Sequence, residues 1–91
     1  MDIDKLRNEI DSIDVEIIRL LNQRCELGRK IGVWKHENKQ PIYVPERERM
    51  LLERLVTNNP GPLDRDSLLA IYREIMSATI KLERPVTIAY M

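Results

Sequence analysis

The sequence has no phenylalanine and only one cysteine, one tryptophan, one histidine and three glycines in 91 residues. A lone thiol, Cys25, cannot close an internal disulfide. With His36 as the only histidine, a zinc site is not expected and no metal is assigned. Aromatic residues make up 4% of the chain, too few for a platform that stacks single-stranded bases. An excess of one charge is also missing, because 15 Lys and Arg balance 15 Asp and Glu. Nucleic acid is therefore not an expected partner, since its binding rests on positive charge. No apolar run reaches the roughly 18 residues of a membrane span. The start, Met1-Asp2-Ile3-Asp4, lacks the apolar stretch of a secretion signal. A cytoplasmic protein of one domain, free of the membrane, is the expectation.

What is present is helical punctuation and periodicity. Proline is absent before Pro41, and Gly28 and Gly32 are the only glycines there. Pro41 and Pro45 bracket one break, Asn58-Asn59-Pro60-Gly61-Pro62 makes a second, and Pro85 ends a third segment. Three helices are predicted, an all-α fold with a long first helix. Asp2 or Asp4 is expected to cap the first, Pro45 to open the second and Asp64 to cap the third. In the first segment Ile3, Leu6, Ile10, Ile13, Ile17, Leu20, Leu27, Ile31 and Trp34 follow alternating steps of three and four. This is a heptad seam with one charged interruption, Arg24. The third segment predicts an apolar face through Leu68, Ile71, Tyr72, Ile75, Thr79 and Leu82, with Glu83 one turn past Thr79.

A helix from Asp4 to Trp34 is roughly 45 Å long at about 1.5 Å per residue. A compact chain of this size has a radius of gyration near 12 Å, a diameter of about 30 Å. Two short helices cannot cover the whole seam, and each buried Leu or Ile is worth about 1.5–3 kcal/mol. A symmetric homodimer with the long helices side by side is expected, and a monomer with a bent first helix is the alternative.

Charges then stand out. Arg24 sits in the seam, where an unpaired guanidinium costs several kcal/mol and an interhelical ion pair is the plain explanation. Lys35, eleven positions on, emerges on the same face about 16 Å away. Gly28 and Gly32 lie on or near that face, and each costs about 1 kcal/mol relative to alanine inside a helix. Close helix packing or room for a small dianion between two cations would explain them. Arg7 lies about 25 Å from Arg24 along one helix, so the two meet only across an antiparallel pair. Two sites per dimer, each built from both chains, follow from that spacing. Arg47 and Glu48 share stripes with Leu51 and Leu52, whereas Glu46 and Arg49 read as a solvated turn. Cys25 reads as an inert thiol and His36 as a solvated helix end.

Leu6-Arg7-x-x-Ile10-Asp11-x-Ile13-Asp14, Leu20-Leu21-x-x-Arg24, Gly32-x-x-Lys35, and Arg47-Glu48-Arg49 with Leu51-Leu52 occur in that order. Together they resemble the all-helical chorismate mutases, above all the N-terminal domain of bifunctional chorismate mutase–prephenate dehydratases. The resemblance covers residues 3–84, a mutase domain assigned to residues 1–84. The tail 85–91 resembles the opening strand of a dehydratase domain, so the chain reads as a separated domain. The resemblance implies an intertwined dimer of three-helix chains that rearranges chorismate to prephenate in phenylalanine and tyrosine biosynthesis. It implies that Arg7 of the partner chain binds one substrate carboxylate and Arg24 the other. Lys35 would donate to the ether oxygen and a carboxylate, with Glu83 as its companion at that oxygen. Glu48 would accept from the ring hydroxyl, Arg47 would support the site or approach the ring carboxylate, and Thr79 would place a hydroxyl near the substrate. Val44 departs from relatives with an acidic residue there, leaving only its backbone to contribute.

The implied reaction is pericyclic and needs no nucleophile or cofactor, so none is expected. The protein would hold the substrate folded and stabilise charge growing on the ether oxygen. Two other readings stay open: a helical interaction module without catalysis, and an isochorismate–pyruvate lyase on the same fold.

Overall fold

The computed structural model describes residues 1–83. The reading of 85–91 as a strand opening lies outside them. Over the described residues the chain is three helices, α1 (Ile3–Glu37), α2 (Pro45–Thr57) and α3 (Arg65–Glu83), with no strand.

Local chemistry sets each boundary. The Asp2 carboxylate accepts from the backbone N–H groups of Asp4 and Lys5 at 3.1 and 3.2 Å, satisfying donors that have no partner inside α1. α1 then runs 35 residues, about 52 Å, a few residues longer than the periodicity predicts. It ends at Asn38, whose side-chain amide donates to the Trp34 carbonyl at 2.8 Å. Lys39 follows with φ 53°, and the Gln40 N–H returns to the Lys35 carbonyl at 2.8 Å. Pro45 opens α2, and Val44 before it supplies no side-chain cap. The next turn is stapled by Asn59. Its amide donates to the Leu63 carbonyl at 2.7 Å while its carbonyl accepts from Gly61 N–H at 3.2 Å. Asp64 caps α3 as expected, accepting from the Ser67 N–H at 2.9 Å.

α3 is the common neighbour, packed on both α1 and α2. On α1 it covers the face carrying Gly28 and Gly32, both buried. A Cβ on Gly32 would stand 2.5 Å from Glu83 Cα and 2.8 Å from its carbonyl carbon, and a Cβ on Gly28 would collide with Thr79 Cγ2. At Gly32 the backbone of α3 itself lies too close for any side chain, whereas at Gly28 the space is taken by the Thr79 methyl. Of the two explanations open at the sequence level, close packing is therefore the direct one.

The face of α3 differs from the stripe the spacing predicts. Leu68, Met76 and Thr79 are buried, whereas Ile71 and Leu82 are 47% and 43% exposed. α3 touches two helices, so its covered surface is displaced toward Met76, between the two contacts, and Ile71 and Leu82 fall outside it.

Of the apolar α1 seam, only Leu27 and Ile31 border the space between α1 and α3. Its members run from 38% exposed at Leu6 to 56% at Ile10, Ile13 and Trp34, and Val15 and Ile18 outside it are 69% and 59% exposed. The radius of gyration is 16.8 Å, against about 12 Å for a compact chain of this length.

Candidate active site

The crossing of α1 and α3, with the start of α2 on its third side, forms a cavity of about 430 Å³ that is open to solvent. Every residue assigned to the site from the sequence lines it except Arg7. Arg24 and Lys35 enter from α1, Val44, Arg47 and Glu48 from the first turn of α2 and its cap, and Thr79 and Glu83 from α3.

Lys35 is the most constrained cation. Its Nζ donates to the Ile42 carbonyl at 2.8 Å and to Glu83 Oε2 at 2.9 Å. An ammonium has three donors, so one remains for a ligand. The pair is well covered, with Lys35 and Glu83 side chains 18% and 10% exposed. Glu83 reaches Lys35 because the bare backbone of Gly32 lets the last turn of α3 settle against α1. Arg24 donates from Nη1 to Thr79 Oγ1 at 2.7 Å, and Thr79 in turn donates to the Ile75 carbonyl at 3.0 Å. The seam charge is thus turned off the seam toward α3 and half-buried.

Electrostatically the cavity holds three cations, Arg24, Lys35 and Arg47, against two carboxylates, Glu48 and Glu83. The surplus is positive, which suits an anion, and forked guanidinium groups suit carboxylates in particular. Apolar walls come from Leu27, Ile31, Leu51, Met76 and Ile80. The charged residues assigned to solvent behave as such. Arg49 is ion-paired to Glu46 and, at 2.6 Å, to Glu53, and these carboxylates hold its guanidinium above its usual value.

Arg7 lies outside the cavity. Its side chain is 71% exposed and its nearest carboxylate partner is Asp4 at 4.0 Å. Four lining residues escape the sequence reading, Ile42, Tyr43, Met76 and Ile80. Met76 and Ile80 share the steps of four and three that link Thr79 and Glu83, a pattern legible once α3 is read as facing two helices. The Ile42 carbonyl carries no sequence signal, because any residue supplies one.

Long helices that cross on glycine around a cation-rich, partly apolar cavity define a helical binder of a small organic anion. The chain belongs to the type II chorismate mutase family, whose model matches residues 6–84. It is 44% identical over 94 residues to the bifunctional chorismate mutase/prephenate dehydratase of Aquifex aeolicus, covering 99% of this chain and 26% of that protein. The enzyme of the same name from Neisseria gonorrhoeae is 46% identical over 85 residues, 93% of this chain and 23% of that one. The chain therefore spans about a quarter of the length of these curated relatives. Among solved structures, a chorismate mutase of Thermus thermophilus superposes with a TM-score of 0.87 at 38% identity, covering 89% of this chain and 92% of that one. A chorismate mutase of Helicobacter pylori in complex with prephenate gives 0.81 at 36%, covering 89% and 88%.

Proposed function

We propose that this chain rearranges chorismate to prephenate, the product found with the Helicobacter pylori relative. The observation that carries the reading is the pairing of Arg24 and Lys35 across one cavity of a size that holds a small dicarboxylate. Arg24 grips one carboxylate and fixes the folded conformer, so part of the barrier is met as pre-paid ordering. Lys35 aims its remaining donor at the ether oxygen, where negative charge grows as the carbon–oxygen bond breaks. Glu83 stands beside it and helps as a donor when protonated, since an ionised carboxylate only accepts. Glu48 accepts from the ring hydroxyl, Arg47 supports the ring carboxylate, Val44 contributes only backbone, and Thr79 holds Arg24. The step moves electron pairs within one molecule, so acid–base and redox partners are unnecessary.

The second substrate carboxylate needs Arg7 from a partner chain. An exposed seam, Ile3 to Trp34, supports an antiparallel homodimer, because leaving it in water forgoes about 1.5–3 kcal/mol per large side chain. Placing Arg7 beside the partner's Arg24 puts the two-fold axis halfway between positions 7 and 24, near Val15 and Glu16. There both flanks of α1 are apolar and uncovered. Arg7 also brings the cavity cations to four, enough forked and point donors for both carboxylates of a dianion. Pathway placement in phenylalanine and tyrosine biosynthesis and a cytoplasmic location belong to the same reading. Among the described residues no helix is long and apolar enough to cross a membrane.

The test is loss of chorismate with identification of prephenate by its acid-catalysed conversion to phenylpyruvate, run with wild type and Arg24→Ala. A donor of this kind contributes about 3 kcal/mol, so kcat/KM should fall by at least about 10²-fold in a variant that sediments like wild type. Unchanged turnover in Arg24→Ala would remove Arg24 from the site, and absence of turnover in folded wild type would overturn the reading.

A further inference from the structure

Thr79 is buried at 8% exposure, and both ends of its side chain are committed. Its hydroxyl proton goes to Ile75 O, because a carbonyl cannot donate, and Oγ1 accepts from Arg24 Nη1, because a guanidinium cannot accept. In the empty cavity its proton is therefore committed to the Ile75 carbonyl. On the other side of Cβ, Cγ2 occupies the space that a Cβ on Gly28 would fill. Threonine in a helix splits between two rotamers, and only the empty site at Gly28 admits the one with Oγ1 on both partners.

We infer that Gly28 and Thr79 are a steric pair that positions Arg24: the missing side chain at 28 holds the Thr79 rotamer, and Thr79 acts on the substrate through the arginine. The inference rests on the mutase reading for the identity of the ligand. Gly28 is thus a positioning residue with no substrate contact of its own. Its exchange for alanine favours the helix by propensity while displacing the Thr79 methyl, so its consequence is a misplaced guanidinium. The remedy is equally specific. Thr79→Ser removes Cγ2, the atom in conflict, and keeps the hydroxyl that Arg24 needs.

Steady-state kinetics with chorismate, and thermal melts, on Gly28→Ala, Thr79→Ser, the double variant and Thr79→Val test the pair. Gly28→Ala should raise KM about tenfold with a smaller change in kcat, and the double variant should return to within about threefold of Thr79→Ser. Thr79→Val keeps the shape, fills the same space and lacks the acceptor, so it should raise KM about as much as Gly28→Ala does. It also supplies the answer if Gly28→Ala does not fold. A silent Gly28→Ala, a loss that Thr79→Ser leaves uncorrected, or an unchanged KM in Thr79→Val would each overturn the inference. These outcomes all presuppose an active wild type. An inactive, folded wild type overturns the mutase reading and the inference with it.

Discussion

Lys35 and Glu83 stand 2.9 Å apart with little solvent around either. That contact sets the residue-scale chemistry. In the empty cavity Glu83 Oε2 accepts from the ammonium, and its other oxygen, when it carries a proton, can donate toward an ether oxygen without breaking that contact. Glu83→Gln puts a permanent donor in the same place, so it should keep or raise kcat with chorismate, whereas Glu83→Ala should lower kcat by about 10²-fold. A glutamine variant as slow as the alanine variant would remove Glu83 from the donor role. At this scale the sequence was informative where a charge broke an apolar pattern. Arg24 interrupts the seam, and Arg47 and Glu48 share stripes with leucines, and all three line the cavity. It was silent about Ile42, whose part is played by a carbonyl, and about Thr79 being spent on Arg24, which depends on a rotamer.

The helices show which signals survive folding. Caps and breakers are local, and Asp2, Pro45 and Asp64 sit where side-chain chemistry alone would put them. The face of α3 is not local. A three-and-four stripe assumes one partner, and α3 has two, so Met76 replaces Ile71 and Leu82 inside. The cost of Gly28 and Gly32 was legible, but its cause needed the register of α3, which fixes Thr79 over one and Glu83 over the other. Asp64 offers a clean element-scale prediction. Its carboxyl is held below the usual value, first by the Ser67 side chain and then by the Ser67 N–H. A group depressed on folding stabilises above its unfolded pKa and loses that contribution as pH falls through the folded one. Asp64→Ala should lower the melting temperature at pH 7, and the gap to wild type should close as pH is taken below about 4. A gap independent of pH would mean that the cap's charge is irrelevant.

At the scale of the molecule, the single chain leaves much of its apolar surface uncovered. Leu68 and Met76 are the only apolar side chains buried among the described residues, the radius of gyration is 16.8 Å, and the seam lies in water. A core that small does not hold a 35-residue helix in place, since burial is the main favourable term in folding. Beside that seam, next to Leu6, lies Arg7, the one proposed ligand-binding residue that its own cavity lacks. Helix length and seam period are what raise the expectation of a partner chain in the sequence. What they could not supply is which flank the partner covers, because Val15 and Ile18 leave a second side of α1 apolar.

Mixing two inactive variants tests the central claim, a mutase site assembled from two chains. Arg7→Ala and Arg24→Ala are each expected to be nearly inactive. Unfolded together in equal amounts and refolded, they should form about half heterodimers, each with one intact and one doubly damaged site, restoring about a quarter of wild-type chorismate turnover. Recovery at that level would place Arg7 and Arg24 of different chains in one site. No recovery from a refolded, dimeric mixture, beside an active wild type, would contradict the shared site.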